Sequence, residues 1–143
     1  MCHKLRWAAV LASVFAAGFL ARGIVPGGPV VSAQAAARVF ELRTYVVPDD
    51  KLAALNTRFR DHTMRIFQRH GIASVAYFTP QDPAKAGNTL VYLIAHPSRE
   101  AATRNWDQFR ADAEWQKVAA ASGVPRPTIT SEFLVPTDYS PMK

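Results

Sequence analysis

The clearest alternation of apolar and polar positions in the chain runs Val39-Phe-Glu-Leu-Arg-Thr-Tyr-Val-Val47. It is rich in β-branched and aromatic residues and has the period of two that marks a strand. Phe40, Leu42, Thr44 and Val46 fall on one face, and Val39, Glu41, Arg43, Tyr45 and Val47 on the other, because successive side chains point to opposite sides of a strand. The first face reads as the core side. The second mixes an acid, a base and a phenol with valines, so it is too apolar for solvent and too polar for a plain core. It reads as the face that carries function.

The period then changes. Asp49 or Asp50 can cap a helix, and Leu52, Leu55, Phe59, Thr63, Ile66 and His70 recur at three and four as far as Gly71, a residue suited to ending a helix. Residues 73–79 and 89–96 read as strands, joined by a loop rich in Pro, Gly and Asn that fits an antiparallel pair. The nearly all-apolar second of these belongs at the centre of a sheet. Ser98 caps a further helix with Ala102, Trp106 and Phe109 as its buried stripe, and Asp112 restarts it, so a broken helix is expected. Pro125 and Pro127 end it, and residues 129–135 form the last strand. Asp138 and Tyr139 lie in a Pro-bounded tail expected to lock the C-terminus.

The order β-α-β-β-α-β is the ferredoxin-like α+β arrangement, an antiparallel four-stranded sheet with two helices on one face. Its other face would be bare, and with Arg43, Tyr45 and Leu134 assigned to it, two sheets would pack face to face as a homodimer around a cleft.

Composition adjusts this picture at the N-terminus. Lys4 and Arg6 precede an uncharged, mostly apolar run from Trp7 to Leu20, followed by small residues up to Ala35. These are the three parts of a signal peptide, and the run is shorter than the ~20 residues that span a membrane. Residues 1–37 are therefore expected to be a signal peptide or, less simply, an uncleaved anchor, and residues 38–143 the domain. The protein is expected to be exported, periplasmic or secreted, touching a membrane only through an uncleaved N-terminus. The single cysteine, Cys2, lies in the leader, so the domain holds no disulfide and no thiol nucleophile. Of the net charge of +6, Lys4, Arg6 and Arg22 also lie in the leader. The rest is a mild excess without the clustered basic face that nucleic acid needs.

Candidate chemistry is sparse. Arg43 and Tyr45 share a strand face, and Tyr77, Tyr92 and Glu132 are expected on the same cleft wall. Together they could hold an anionic or carbonyl-bearing ligand, since a guanidinium fork matches a carboxylate. Arg43 and Glu132 could equally form a structural pair. His62 at the edge of the first helix, or Tyr45, could move a proton. His70 reads as structural, and His96 as a residue of the cleft rim. Arg58, His62, Arg65 and Arg69 occupy a narrow arc that reads as a solvated or anion-facing surface. Trp106 and Trp115 read as core. No metal spacing is present, nor a Walker loop, a dinucleotide turn or a Ser-His-Asp pattern, and no metal or cofactor is expected.

Glu41-Leu-Arg-Thr-Tyr45, Phe59-Arg-Asp-His-Thr63 with Phe67 and His70-Gly71, Leu90-Val-Tyr-Leu93, Trp106-Asp-Gln-Phe109 with Glu114-Trp115, and Pro136-Thr-Asp-Tyr-Ser-Pro141 stand in the order of the NIPSNAP family, which the sequence resembles from about residue 40 to 141. The resemblance implies the dimeric α/β-barrel form of the ferredoxin-like fold, a group that includes cofactor-free monooxygenases and haem enzymes, and it implies no settled reaction. Three functions stay open: binding of a small, partly apolar ligand in the inter-subunit cleft, a cofactor-independent enzyme of monooxygenase or isomerase type, and a protein-interaction module without a ligand.

Overall fold

The computed structural model describes residues 38–143; the expected signal peptide or anchor lies outside them. The elements run β1 (Val39–Val46), α1 (Leu52–Arg58), a π-helical turn (Phe59–Thr63), α2 (Met64–Arg69), β2 (Ala73–Phe78), α3 (Pro83–Ala86), β3 (Thr89–His96), α4 (Arg99–Ala111), α5 (Ala113–Ala121) and β4 (Thr128–Leu134). The four strands make one sheet in the order β2-β3-β1-β4, and every neighbouring pair is antiparallel. This is the ferredoxin-like arrangement, with the apolar β3 in the interior of the sheet as its pattern indicates. The loop expected between β2 and β3 holds one short helix, started by Asp82, whose side chain accepts from the Ala84 N–H.

The assignment of faces is reversed from the sequence reading. The helices cover the side of β1 that carries Glu41, Arg43, Tyr45 and Val47, and Tyr45 and Val47 join Leu52, Leu55, Phe59, Ile66, Phe67, Tyr92 and Trp106 in the main apolar core. Phe40, Leu42, Thr44 and Val46 are on the far side, where Val46, Phe78 and Leu134 are exposed. Register carries the reversal across the sheet. Arg43 stands opposite Tyr92 on one side and Ser131 on the other, whereas Glu132 stands opposite Leu42 and Leu134 opposite Phe40. In a ladder, directly opposed residues share a face, so a one-residue offset moves a whole strand's side chains across the sheet. Arg43 and Tyr45 therefore point into the helical layer, not into a cleft between two sheets.

The aromatic rings on the covered side hold the layers together. Phe59 meets Tyr45 edge-on at 5.9 Å between centroids and Phe67 at 6.0 Å, and Phe67 packs against Phe109 at 4.8 Å. Such pairs add about 0.5–1.5 kcal/mol each beyond the area they bury. Ile66 is fully buried among them, and Ile66→Ala would cost about 2–5 kcal/mol through the cavity it leaves.

The helix starts differ from expectation in one case. Lys51, not Asp49 or Asp50, is the N-cap of α1 and makes no side-chain cap bond; Asp49 instead accepts from Asn88 Nδ2 at 2.9 Å. Gly71 ends α2 as expected. Its φ of 71° is open to glycine at little cost, and an added Cβ would come within 3.2 Å of Asn105. Asp112 breaks the second helix as its sequence indicates, accepting from the Glu114 and Trp115 N–H groups at the start of α5. It also accepts from Arg69 at 2.7 Å and lies 2.7 Å from His70 Nε2, while Glu114 pairs with Arg65 and Arg69. Asp112 and Glu114 thus clasp the joint between α4 and α5 onto α2.

Candidate functional site

Glu41 is the polar centre of the covered face. It is only 1% exposed, yet both carboxylate oxygens are fully engaged. Oε1 accepts from Arg43 Nη1 and Ser131 Oγ, both at 2.5 Å. Oε2 accepts from Trp106 Nε1 at 2.7 Å and lies 3.1 Å from His96 Nε2. One side chain therefore ties β1 to β3, β4 and α4. Burial by itself would push this carboxyl up, but hydrogen bonds from His96, Ser131, Trp106 and Arg43 outweigh it and hold the pKa at about 2. Glu41 stays ionised at any physiological pH, and Arg43 is its counter-ion.

That pairing aims Arg43. Its guanidinium carbon sits 4.3 Å from the Trp106 ring centroid, and Nη2 reaches toward Tyr45 Oη at 3.4 Å. A guanidinium stacked on an indole keeps its charge while being largely desolvated. Arg43 and Tyr45 then form the floor of a half-open cleft of about 610 Å³ between the sheet and the helical layer. Trp106, Phe109 and Trp115 make its aromatic wall, and the turn from Val124 to Pro127 makes its lip.

Arg58 forms the third side, and the backbone explains its position. α1 passes into a π-helical turn directly after it, where the Met64 N–H bonds back to the Phe59 carbonyl. The Arg58 carbonyl accepts from the Thr63 hydroxyl at 3.2 Å. Turns of this kind occur often at functional sites. Arg58 is only 6% exposed. Nη1 donates to Ser122 Oγ at 3.2 Å, the guanidinium carbon lies 5.2 Å from the Trp115 ring, and buried Nε has no partner among the described residues. No carboxylate pairs with it among the described residues. Burial pushes its pKa down.

Of the residues expected to hold a ligand, Arg43 and Tyr45 line this cleft. Tyr92 and Tyr77 share the covered face but stack on each other at 5.6 Å within the core. The buried Tyr92 hydroxyl has no hydrogen-bond partner among the described residues, and the Tyr77 hydroxyl is 2.7 Å from Ser74 Oγ. Glu132 is on the opposite face and exposed, so neither a site with Arg43 nor the alternative Arg43–Glu132 pair forms; Glu41 takes that place. His62, a candidate proton carrier, is exposed and lines a neighbouring groove of about 450 Å³ with Thr57, Lys117, Ser122 and Arg58, the side chain this groove shares with the cleft. His96 is not at a rim but sealed beside Glu41. The arc of Arg58, His62, Arg65 and Arg69 separates by function: Arg65 and Arg69 pair with acids, Arg58 is buried and His62 is free on the surface. Tyr139 is 84% exposed, with its backbone N–H donating to Asp138 Oδ1 at 3.1 Å. Among the described residues, no cluster of His, Cys, Asp or Glu could hold a metal.

Sequence reasoning placed Arg58 on a surface arc and not in the cleft, and missed Ser131 and the role of Trp106. Only Arg58 left a signal, as a base three residues past Leu55 on the buried stripe of α1.

The fold and this cleft define a ferredoxin-like α+β domain with a polar-floored cavity between sheet and helices. The chain matches the NIPSNAP family over residues 40–141 and belongs to it. A NIPSNAP family protein of unknown function from Agrobacterium tumefaciens is similar in structure, with a TM-score of 0.65 at 19% identity, over 76% of this chain and 96% of that one. An uncharacterised NIPSNAP-like domain protein from Burkholderia xenovorans gives 0.63 at 19%, over 74% and 90%. SnoaB, a cofactor-independent oxygenase from Streptomyces nogalater, gives 0.50 at 17%, over 74% and 99%. Identities this low speak to fold alone. Among curated proteins no match was found.

Proposed function

We propose that this NIPSNAP domain binds a small, partly apolar molecule in the cleft between its own sheet and helices, with Arg43 and Tyr45 as the polar floor. The observation that carries this reading is the Glu41 centre. Four donors fix one carboxylate, that carboxylate fixes Arg43, and Arg43 is presented to an open cavity walled by aromatic rings. Preorganised polar groups in a largely apolar pocket are what ligand sites have in common. The far face of the sheet, with Val46, Phe78 and Leu134 exposed, is the surface a second copy would cover. Export of the protein is supported by its N-terminal sequence.

A proton-transferring enzyme, as the likeness to SnoaB invites, is the second reading. It needs a group that titrates near neutral pH within about 3 Å of the ligand. The ionisable groups lining the cleft are arginines and Tyr45, while His62 opens on another groove and His96 is sealed. Binding is therefore favoured over catalysis.

Native mass spectrometry of the purified full chain tests this. The expected result is a dimer carrying a small-molecule adduct that is lost in Trp106→Ala. An adduct-free wild-type protein, with no ligand-induced change in its thermal midpoint across a library of small aromatic compounds, would remove the binding reading.

A further inference from the structure

We infer that the ligand of this cleft carries a carboxylate on an aromatic or similarly flat apolar body, and that Arg58 is the residue that receives the carboxylate. The inference rests on the binding reading above and goes further by naming the class of ligand.

A guanidinium remains charged in any protein environment, and a charge removed from water without a partner is costly. The two buried arginines of the cleft meet this differently. Arg43 has Glu41. Arg58, equally hidden, has one neutral hydroxyl, Ser122 Oγ, and the face of Trp115. Its Nε, like that of Arg43, is buried and donates to nothing among the described residues, so the difference between the two lies in the carboxylate that Arg43 has and Arg58 lacks. The unsatisfied edge of its fork belongs to a side chain that borders both the open cavity and the neighbouring groove of His62. Of the cavity's other charged lining residues, Arg110 pairs with Asp107, Arg126 is a further cation, and the lining itself holds no carboxylate. The missing anion is thus a property of Arg58, since Arg43 and Arg110 each have a carboxylate partner. A planar two-oxygen anion fits a guanidinium edge better than a single hydroxyl does. Trp115 beside Arg58, with Phe109 and Trp106 beyond it, offers flat apolar surface next to the charge. The Glu41–Arg43 pair, already neutral, would then serve as floor rather than as anion receptor.

The test uses 2-naphthoate and its uncharged analogue 2-naphthamide, titrated against the full chain by ligand-observed NMR. Naphthoate is expected to bind at least about tenfold more tightly, the usual worth of a charge-assisted hydrogen bond in a buried site. In Arg58→Met, which matches the side chain's length without its charge, the preference is expected to vanish through loss of naphthoate binding alone. In Arg58→Lys, which keeps the charge but not the fork, it is expected to fall between. Equal affinities in the wild-type protein overturn the carboxylate inference while leaving the cleft as a binding site. A preference that survives in folded Arg58→Met places the anion elsewhere and overturns the role of Arg58. If neither compound binds at millimolar concentration, the binding reading and this one fail together. The wild-type comparison needs no variant, so the inference can be overturned even if Arg58→Met does not fold.

Discussion

Two carboxylates organise this domain, and the partners around them differ in exposure. Glu41 and Asp112 each accept four hydrogen bonds or close polar contacts, and each has its pKa lowered by them. Glu41 draws all of its donors from side chains on four different elements and is sealed from water. Asp112 takes two of its donors from the next turn of its own backbone, and its side-chain partners Arg69 and His70 lie toward solvent. The same number of contacts therefore does different work. Near the surface, water competes for each partner and salt screens the charge. In the interior, the same contacts are worth more when complete and cost far more when one is removed. Asp112 sets the angle of a helix joint, whereas Glu41 sets the floor of a cleft.

The contrast can be broken most directly at Glu41. Glu41→Ala strands the Arg43 charge and the donors of Trp106, Ser131 and His96, and is expected to cost about 3–5 kcal/mol in urea unfolding. A loss no greater than that of Asp112→Ala would show that burial does not separate the two sites. Acid provides the next largest effect. The Glu41 carboxyl falls from an ordinary 4.5 to about 2 on folding. A depressed folded pKa gives stability that is complete above the unfolded value and lost as pH falls through the folded one. The domain should therefore lose roughly 3 kcal/mol from this group between about pH 4.5 and pH 2, and Glu41→Gln should flatten that part of the curve. A smaller effect, of opposite sign, is expected at Arg58. Arg58→Met removes an uncompensated buried charge and should stabilise the domain by on the order of 1 kcal/mol, as residues kept for function often allow; a clear loss would mean that Ser122 and Trp115 satisfy the guanidinium already. The smallest effect separates the carboxylates by ionic strength. Raising sodium chloride to about 0.5 M should shrink the penalty of Asp112→Ala and leave that of Glu41→Ala unchanged, because screening reaches the half-exposed Arg69 beside Asp112 and not the sealed partners of Glu41.

The architecture was legible because each element announced its own period. β1, β3 and the Asp112 break can be read from local residues, and so can the βαββαβ order. The faces of β1 were not legible. Phe40, Leu42, Thr44 and Val46 are the more apolar set, and Glu41 and Arg43 the more polar, yet the polar set lies under the helices. The reason is long-range neutralisation. Glu41 and Arg43 cancel each other two residues apart, and the remaining lone pairs are satisfied by His96, Trp106 and Ser131, from 55 to 90 residues away. A pattern of apolar and polar letters carries no record of partners at that distance. Arg43 and Tyr45 stood out as polar groups on a largely apolar strand, but the cleft they line is closed by helices of the same chain. Arg58 was hidden for the converse reason: its charge reads as a solvent-facing letter, and only packing reveals that it has no solvent.

The turn that follows Arg58 has a consequence for how this chain tolerates change in length. A π-helical turn advances by more residues than an α-helical one, so the segments on either side of Phe59–Thr63 are out of phase with a rod of uniform pitch. One residue corresponds to about 100° of rotation in an α-helix. Deleting a single residue within the turn would restore the ordinary pitch and swing Arg58 away from Ser122 and Trp115, even though every side chain of the cleft remained in the sequence. The direction of this arginine is thus written in the count of residues as well as in their kinds.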